Sequence, residues 1–237
     1  MAVPEFGQVT QIKGCPLMFP TSSELSEWLP RLLDGLKVSV QVAGLSITLG
    51  VLLGMMLALC VMSKSAWIRW SALLVVEIGR GAPALVLLQF IYFGLPNTGL
   101  TLGSFAAAVI ALAWNTGAYT SEIIRGAIQA VPDGQREASV SLGLSPFQEM
   151  RDIILPQALR IALPPLLGFA ILIFQGTTLC FTIALPELVS KAYYIGSNTF
   201  RYLPAIVAAG GLYVAICLPA SFFVAWMERR ASRHATH

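Results

Sequence analysis

Few residues in this sequence could do chemistry, and most of those lie inside long apolar runs. Glu77 and Arg80 are three apart, a spacing at which an acid and a base pair on one helical face. Asn115, Tyr119 and Glu122 are separated by four and then three, which sets their polar groups in one line along a helix. Gln175, Thr177 and Thr178 interrupt a third apolar run as FQGTTLCF. Ionisable groups at membrane depth are costly and mark functional positions, unless they sit near an interface and neutralise one another. Both alternatives stay open. Glu77 with Arg80 is either a path element or a structural pair, and Glu122 either faces a path or pairs with Arg125 one turn on. Thr116 and Ser121 are expected to bond back to their own helix.

Nothing here resembles covalent or metal chemistry. The two histidines, His234 and His237, lie in a charged tail, and no nucleophile has an evident base. Cys15, Cys60, Cys180 and Cys217 lack C-x-x-C spacing, and three of them lie in apolar runs as small hydrophobes. The expectation is no catalytic residue, no metal site and no cofactor held by this chain.

The elements that position these residues follow from composition. Hydrophobic residues make up 56% of 237 positions and charged residues 11%, too few charges to cover a soluble surface of this size. A membrane domain is implied, and no Lys/Arg run points to nucleic acid. Five spans, each near the roughly 20 residues that cross the hydrocarbon core, are expected at about 36–62, 72–94, 102–124, 161–184 and 203–227. Residues 1–35 form an N-terminal extracytoplasmic or interfacial segment. In it SSELSEWLPRLLDGL reads as a surface helix, with Trp28 suited to the interface. The segment lacks a basic start followed by an apolar core, so the first span is expected to do the targeting. Gly50 and Gly54 make a GxxxG pair that permits close helix packing without naming a partner. The transmembrane domain runs over 36–230, followed by a tail at 231–237.

Orientation follows from the basic residues of the connections. Placing the loop at 63–71, the stretch 125–165 and the C-terminus in the cytoplasm puts Lys64, Arg69, Arg125, Arg136, Arg151, Arg160, Arg229, Arg230 and Arg233 inside. Lys13, Arg31, Lys37, Lys191 and Arg201 fall outside. The N-terminus is therefore expected outside and the C-terminus in the cytoplasm.

That leaves one polar island, Arg125–Pro165, as the surface offered to a soluble partner. Asp133 is expected to cap a short helix over about 134–142, ended by Gly143 in a left-handed conformation. Ser145, Pro146 and Gln148 form a capping-box start for a second helix, with Phe147, Met150, Ile153 and Ile154 on one apolar stripe. Pro156 is expected to interrupt or kink it, and Pro164 with Pro165 to restrict the start of the next run.

The island carries a resemblance. GQREASVSLGLSPFQEMRDIILPQALRIALPP resembles the EAA loop of ATP-binding cassette importer permeases, roughly E-A-A, three residues, G, nine residues, I-x-L-P. Glu137, Ala138, Gly143, Ile153, Leu155 and Pro156 match it, and Ser139 stands where the second Ala belongs. EIGRGAP at 77–83, YFGLP at 92–96 and AYTSEIIRGAIQAVPDGQ at 118–135 are similar to the polar amino acid subfamily, and the likeness extends from about Gly35 to Arg230.

The resemblance implies an all-α membrane protein of the type I importer permease fold: five transmembrane helices and a cytoplasmic coupling elbow, within a loop of about 131–160. It further implies a bacterial inner-membrane location and a role in ATP-driven import of polar amino acids or related zwitterions such as opines. The coupling residues are then Glu137, Ala138, Ser139, Gly143, Ser145, Pro146, Ile153, Leu155 and Pro156. The implied partners are ATPase subunits that carry the ATP and Mg, a second identical or homologous permease, an extracytoplasmic substrate-binding protein and membrane lipid. No G-x-x-x-x-G-K-[ST] loop occurs here, so this chain is not itself the ATPase. On this reading the Asn115–Tyr119–Glu122 face offers acceptors to a substrate ammonium. Gln175 and Gly176 replace a charged pair that the subfamily usually carries. The rival function is an ATP-independent channel or ion-coupled carrier.

Overall fold

The computed structural model describes residues 19–234, all of whose regular elements are helical. Lys13 and Cys15 of the N-terminal segment, and His237 of the tail, lie outside the described residues. Helix α1 spans Ser22–Val61 and opens on a capping box in which the Thr21 hydroxyl and the Glu24 carboxylate each satisfy a backbone amide of the first turn. Its 40 residues make about 60 Å of helix, twice the hydrocarbon thickness. The expected separate surface helix is thus the first turns of α1. Trp28 is buried with Leu32 against Leu188, Ala192, Ile195, Ala205 and Ala209 rather than lying at an interface, because burying an indole among apolar side chains outweighs leaving it at the surface.

Helix α2 (Ala66–Gly81) and helix α3 (Ala84–Gln89) do not form the continuous second span expected at 72–94. The chain bends by 105° between them. Pro83 explains the break, since it has no N–H to donate and forces Ala82 into extended backbone (φ −84°, ψ 134°). After α3 the chain continues through a π-turn at Phe90–Gly94 and a 3-10 turn at Leu95–Thr98.

Helix α4 (Ser104–Gln129) is the centre of the molecule, packed by α1, α2 and α7. Its contact face is made of small residues on both sides. A Cβ on Gly54 would come within 2.9 Å of the Gly117 carbonyl oxygen, one on Gly50 within 2.9 Å of the Ala113 carbonyl oxygen, and one on Gly79 within 2.6 Å of the Ala118 Cβ. The GxxxG pair therefore faces α4. Buried hydroxyls on α4 bond back to its own backbone, Thr116 to the Leu112 carbonyl at 2.6 Å and Ser121 to the Ala118 carbonyl at 2.7 Å. Three described stretches, Ser22–Val61, Pro146–Ile183 and Tyr202–Arg230, are long and apolar enough to cross a membrane, and the bent α2–α3 pair makes a fourth. Helix α4 is long enough but too polar to join them, and its neighbours shield it.

The polar island folds as expected in part. Helix α5 covers Asp133–Ser141, but Pro132 holds the N-cap position and Asp133, the first helical residue, makes no capping bond. At that position its charge still meets the positive end of the helix. Gly143 is left-handed, with φ +71°, and the Ser145–Gln148 capping box is complete at the start of α6 (Pro146–Gln148). Met150, Ile153 and Ile154 pack with Ala58, Ile124, Ile128 and Ala158. Phe147, placed on the same stripe from sequence, is instead 71% exposed, because α6 is only one turn and the stripe begins after it. A π-turn at Glu149–Ile154 precedes α7 (Leu155–Gly176). Pro156, expected to interrupt or kink the helix, is the second residue of α7, where its missing N–H costs nothing, whereas Pro164 and Pro165 do not restrict the start of α7 but lie in its interior, two forgone amide bonds that the surrounding packing tolerates. A 3-10 segment (Thr177–Ile183), helix α8 (Leu188–Thr199) and helix α9 (Tyr202–His234) complete the fold.

Candidate functional site

The break after α2 opens a cleft of about 500 Å³ between α2, α4 and α7. It is lined by the backbone turn Arg80–Ala84 and by Leu112, Asn115, Tyr119, Phe169 and Gly176, among others. Asn115 donates its Nδ2 to the Gly79 carbonyl at 2.9 Å, and the Tyr119 hydroxyl donates to the Arg80 carbonyl at 3.4 Å. Both side chains thus satisfy last-turn carbonyls of α2 that the proline break leaves without amide partners. Tyr119 stacks on Phe169 with ring centroids 5.1 Å apart, and the Arg80 guanidinium lies 5.8 Å over the Tyr119 ring.

The charges pair differently from the first sequence expectation. Arg80 reaches Glu122 at 3.6 Å, across two helices, while Glu77 is exposed and pairs with no described residue. The i,i+3 geometry of Glu77 and Arg80 yields here to the tertiary alternative. Glu122 is also held by Arg125 through two hydrogen bonds, as the second of the two open readings required. Two guanidiniums therefore share one carboxylate beside the cleft.

Gly176 reaches the cleft and Gln175 is exposed, whereas Thr177 is fully buried and turned the other way. Its hydroxyl donates to the Phe174 carbonyl at 2.7 Å and lies 3.3 Å from the Tyr213 hydroxyl. Thr178 is half-buried beside it.

Thr177 belongs to a network that the sequence reading missed. Glu187 is fully buried at the N-cap of α8, where its carboxylate accepts the amides of Val189 at 2.8 Å and Ser190 at 2.7 Å. The Tyr213 hydroxyl donates to it at 3.5 Å and lies 3.5 Å from Ser39, which in turn accepts the Leu188 amide. Burial pushes the Glu187 carboxyl above the usual carboxylate range, and the backbone amides of Val189 and Ser190 pull it back. Its only sequence signal was an acid straight after Pro186, outside the spans.

At the other end, the elbow presents its chemistry to solvent. Glu137 and Ala138 are exposed, while Ser139 is buried and bonds the Arg136 carbonyl at 2.7 Å. Arg136 ties α5 to the π-turn through Glu149 at 3.3 Å. Val140, Leu142 and Phe147 stand 67%, 75% and 71% exposed around Gly143, an apolar patch on an otherwise polar loop. No cluster of metal-ligating side chains occurs among the described residues.

Residues 50–233 match the model of the binding-protein-dependent transport system inner membrane component family. The chain belongs to that family. It is 38% identical over 208 residues to the probable amino-acid ABC transporter permease protein YckA of Bacillus subtilis, covering 88% of this chain and 92% of that one. It is 37% identical over 205 residues to the glutamine transport system permease protein GlnP of Escherichia coli, covering 85% and 93%. Among solved structures, the crystal structure of an amino acid ABC transporter with histidines superposes with a TM-score of 0.83 at 36% identity, over 89% of this chain and 99% of that one. An inward-facing MetNI methionine ABC transporter shares the fold alone, with a TM-score of 0.67 at 21% identity. The chain is thus an all-helical permease subunit of an ABC importer, of the inner-membrane class, in a family whose ATPase activity lies in a separate subunit. The channel or ion-coupled alternative is not favoured.

Proposed function

We propose that this permease subunit imports polar amino acids or related small zwitterions such as opines, and that its elbow at 134–156 is the seat of a separate ATPase that carries the ATP and Mg. The observation that carries the coupling role is the exposed apolar trio Val140, Leu142 and Phe147 around left-handed Gly143. Exposed aromatic and aliphatic side chains on a folded, water-facing turn are what a docking partner buries. Glu137, Ala138, Ser139, Ser145, Pro146, Ile153, Leu155 and Pro156 shape that turn. Closure of two ATPases would push on two such elbows and rock paired permeases, identical or homologous, between outward-open and inward-open states. A substrate-binding protein would deliver substrate from outside.

In this reading the chain crosses the membrane five times, with the α2–α3 pair bent and α4 shielded, its N-terminus outside and its C-terminus in the cytoplasm. Domain limits follow: 1–35 before the first crossing, 36–230 for the transmembrane domain and 231–237 for the tail. The path runs by the α2–α4–α7 cleft, which gathers Arg80, Asn115 and Tyr119, with Gln175 and Thr178 nearby. Glu77 and Thr177 lie off it, and Glu122 acts through Arg80.

The test is a Leu142→Asp, Phe147→Asp double variant, assayed for ATPase co-purification and ATP-driven amino acid uptake in proteoliposomes. Loss of both, with the permease still inserted, is expected. Retention of both would remove the elbow from the mechanism.

A further inference from the structure

The α2–α4–α7 cleft has an unbalanced set of polar groups. Among its lining residues Arg80 is the one charged side chain. The Nε of Arg80 is buried with no hydrogen-bond partner. The nearest acid, Glu122, is already committed, doubly bonded to Arg125 and only 3.6 Å from one Arg80 nitrogen. Tyr119 has spent its one donor on the Arg80 carbonyl, and Asn115 one of its two on the Gly79 carbonyl, so what they leave is at most a neutral amide donor. What the cleft holds in reserve is a guanidinium edge with a buried, idle N–H, set beside the aromatic faces of Tyr119 and Phe169.

A buried donor without a partner is an expensive feature, and a planar guanidinium is satisfied best by a carboxylate. A cationic group in the same cleft would meet the Arg80 charge with no lining acid to offset it. We infer that the cleft holds the substrate by its carboxylate at Arg80 and selects net neutral or anionic amino acids over cationic ones. This rests on the import reading above and narrows it. It also reverses the expectation that the Asn115–Tyr119–Glu122 face serves the substrate ammonium, since its acceptor carboxylate is engaged by two arginines.

Gly176 supplies a test from the opposite direction. It lines the cleft, is helical, and a Cβ added there meets nothing within 4 Å. Gly176→Asp therefore adds an acid on the cleft wall from a Cβ position that meets no neighbour. The complete purified transporter, without binding protein, is dialysed to equilibrium with radiolabelled L-glutamine, L-glutamate or L-arginine. The wild type is expected to bind glutamine or glutamate at least tenfold more tightly than arginine. Arg80→Gln should weaken the acceptable probe about tenfold or more, the scale of a lost charge-assisted hydrogen bond, with Arg80→Lys retaining part of it. Gly176→Asp should shift the preference toward arginine by about tenfold.

Arginine bound as tightly as glutamine by the wild type, or a preference that neither variant moves, overturns the inference. So does ATP-driven uptake by a transporter that binds none of the three probes. Absence of both binding and amino acid uptake would instead take down the import reading itself.

Discussion

Gly143 tests whether a single backbone conformation sets the elbow. Its φ of +71° lies in the left-handed region, yet a Cβ there would meet nothing within 4 Å. A substitution is therefore charged for backbone strain alone, with no steric clash to confuse the result. For a β-branched residue that strain is about 1–3 kcal/mol, and Asn tolerates the conformation at a fraction of it. The amides around the turn depend on it, because Gly143 donates to the Val140 carbonyl at 2.9 Å and Leu144 to the Ser139 carbonyl at 3.1 Å. With 1.4 kcal/mol per factor of ten, Gly143→Val should lower the ratio of formed to unformed elbow about fivefold to a hundredfold. Co-purification of the ATPase subunit and ATP turnover of the assembled complex should fall with the fraction of elbow formed, while Gly143→Asn stays near wild type. Val and Asn variants that both match the wild type would refute the claim that this conformation shapes the docking site.

Other outcomes follow from the same contacts. Ser145→Ala removes the capping box at the start of α6 and should cost the elbow about 0.5–2 kcal/mol, read as faster proteolysis of the 141–156 segment with α1–α4 packing unchanged. Gly54→Leu drives a side chain into the Gly117 backbone and Thr120, so the folded yield of solubilised protein should drop sharply, whereas the same change at Gly44, where a Cβ meets nothing within 4 Å, should be tolerated. For Glu187 the raised folded value means that the native state holds its proton longer than the unfolded chain does. Its contribution is then most favourable below the unfolded value of about 4.3 and declines as pH rises through the higher folded value. A melting temperature that falls over that window in the wild type, and falls less in Glu187→Gln, is the expected result. Equal slopes would exonerate Glu187.

The sequence made the elbow legible in detail because turns and caps are local. Gly143, Ser145, Pro146 and Gln148 specify their conformations through neighbours within four residues, and the structure places them so. Asp133 has the side chain of an N-cap but stands one position inside the helix, because Pro132 occupies the cap site that an acid usually takes. Thr116 and Ser121 bond their own helix as local chemistry requires. From sequence the second span reads as one because apolar runs flank EIGRGAP on both sides, although Pro83 within it carries the signal for the 105° bend.

Composition, apolar runs and local turn chemistry determined that this is a helical membrane chain with one polar, capped helical turn between its apolar stretches. Which charge pairs with which was decided only when the helices met. Arg80 chose Glu122 over Glu77, the GxxxG face of α1 chose α4, and Thr177 turned inward to Tyr213. Spacing along one helix fixes only which residues share a face. What that face touches depends on the packing of helices far apart in the chain, where a closer or more buried partner overrides the nearest one in sequence.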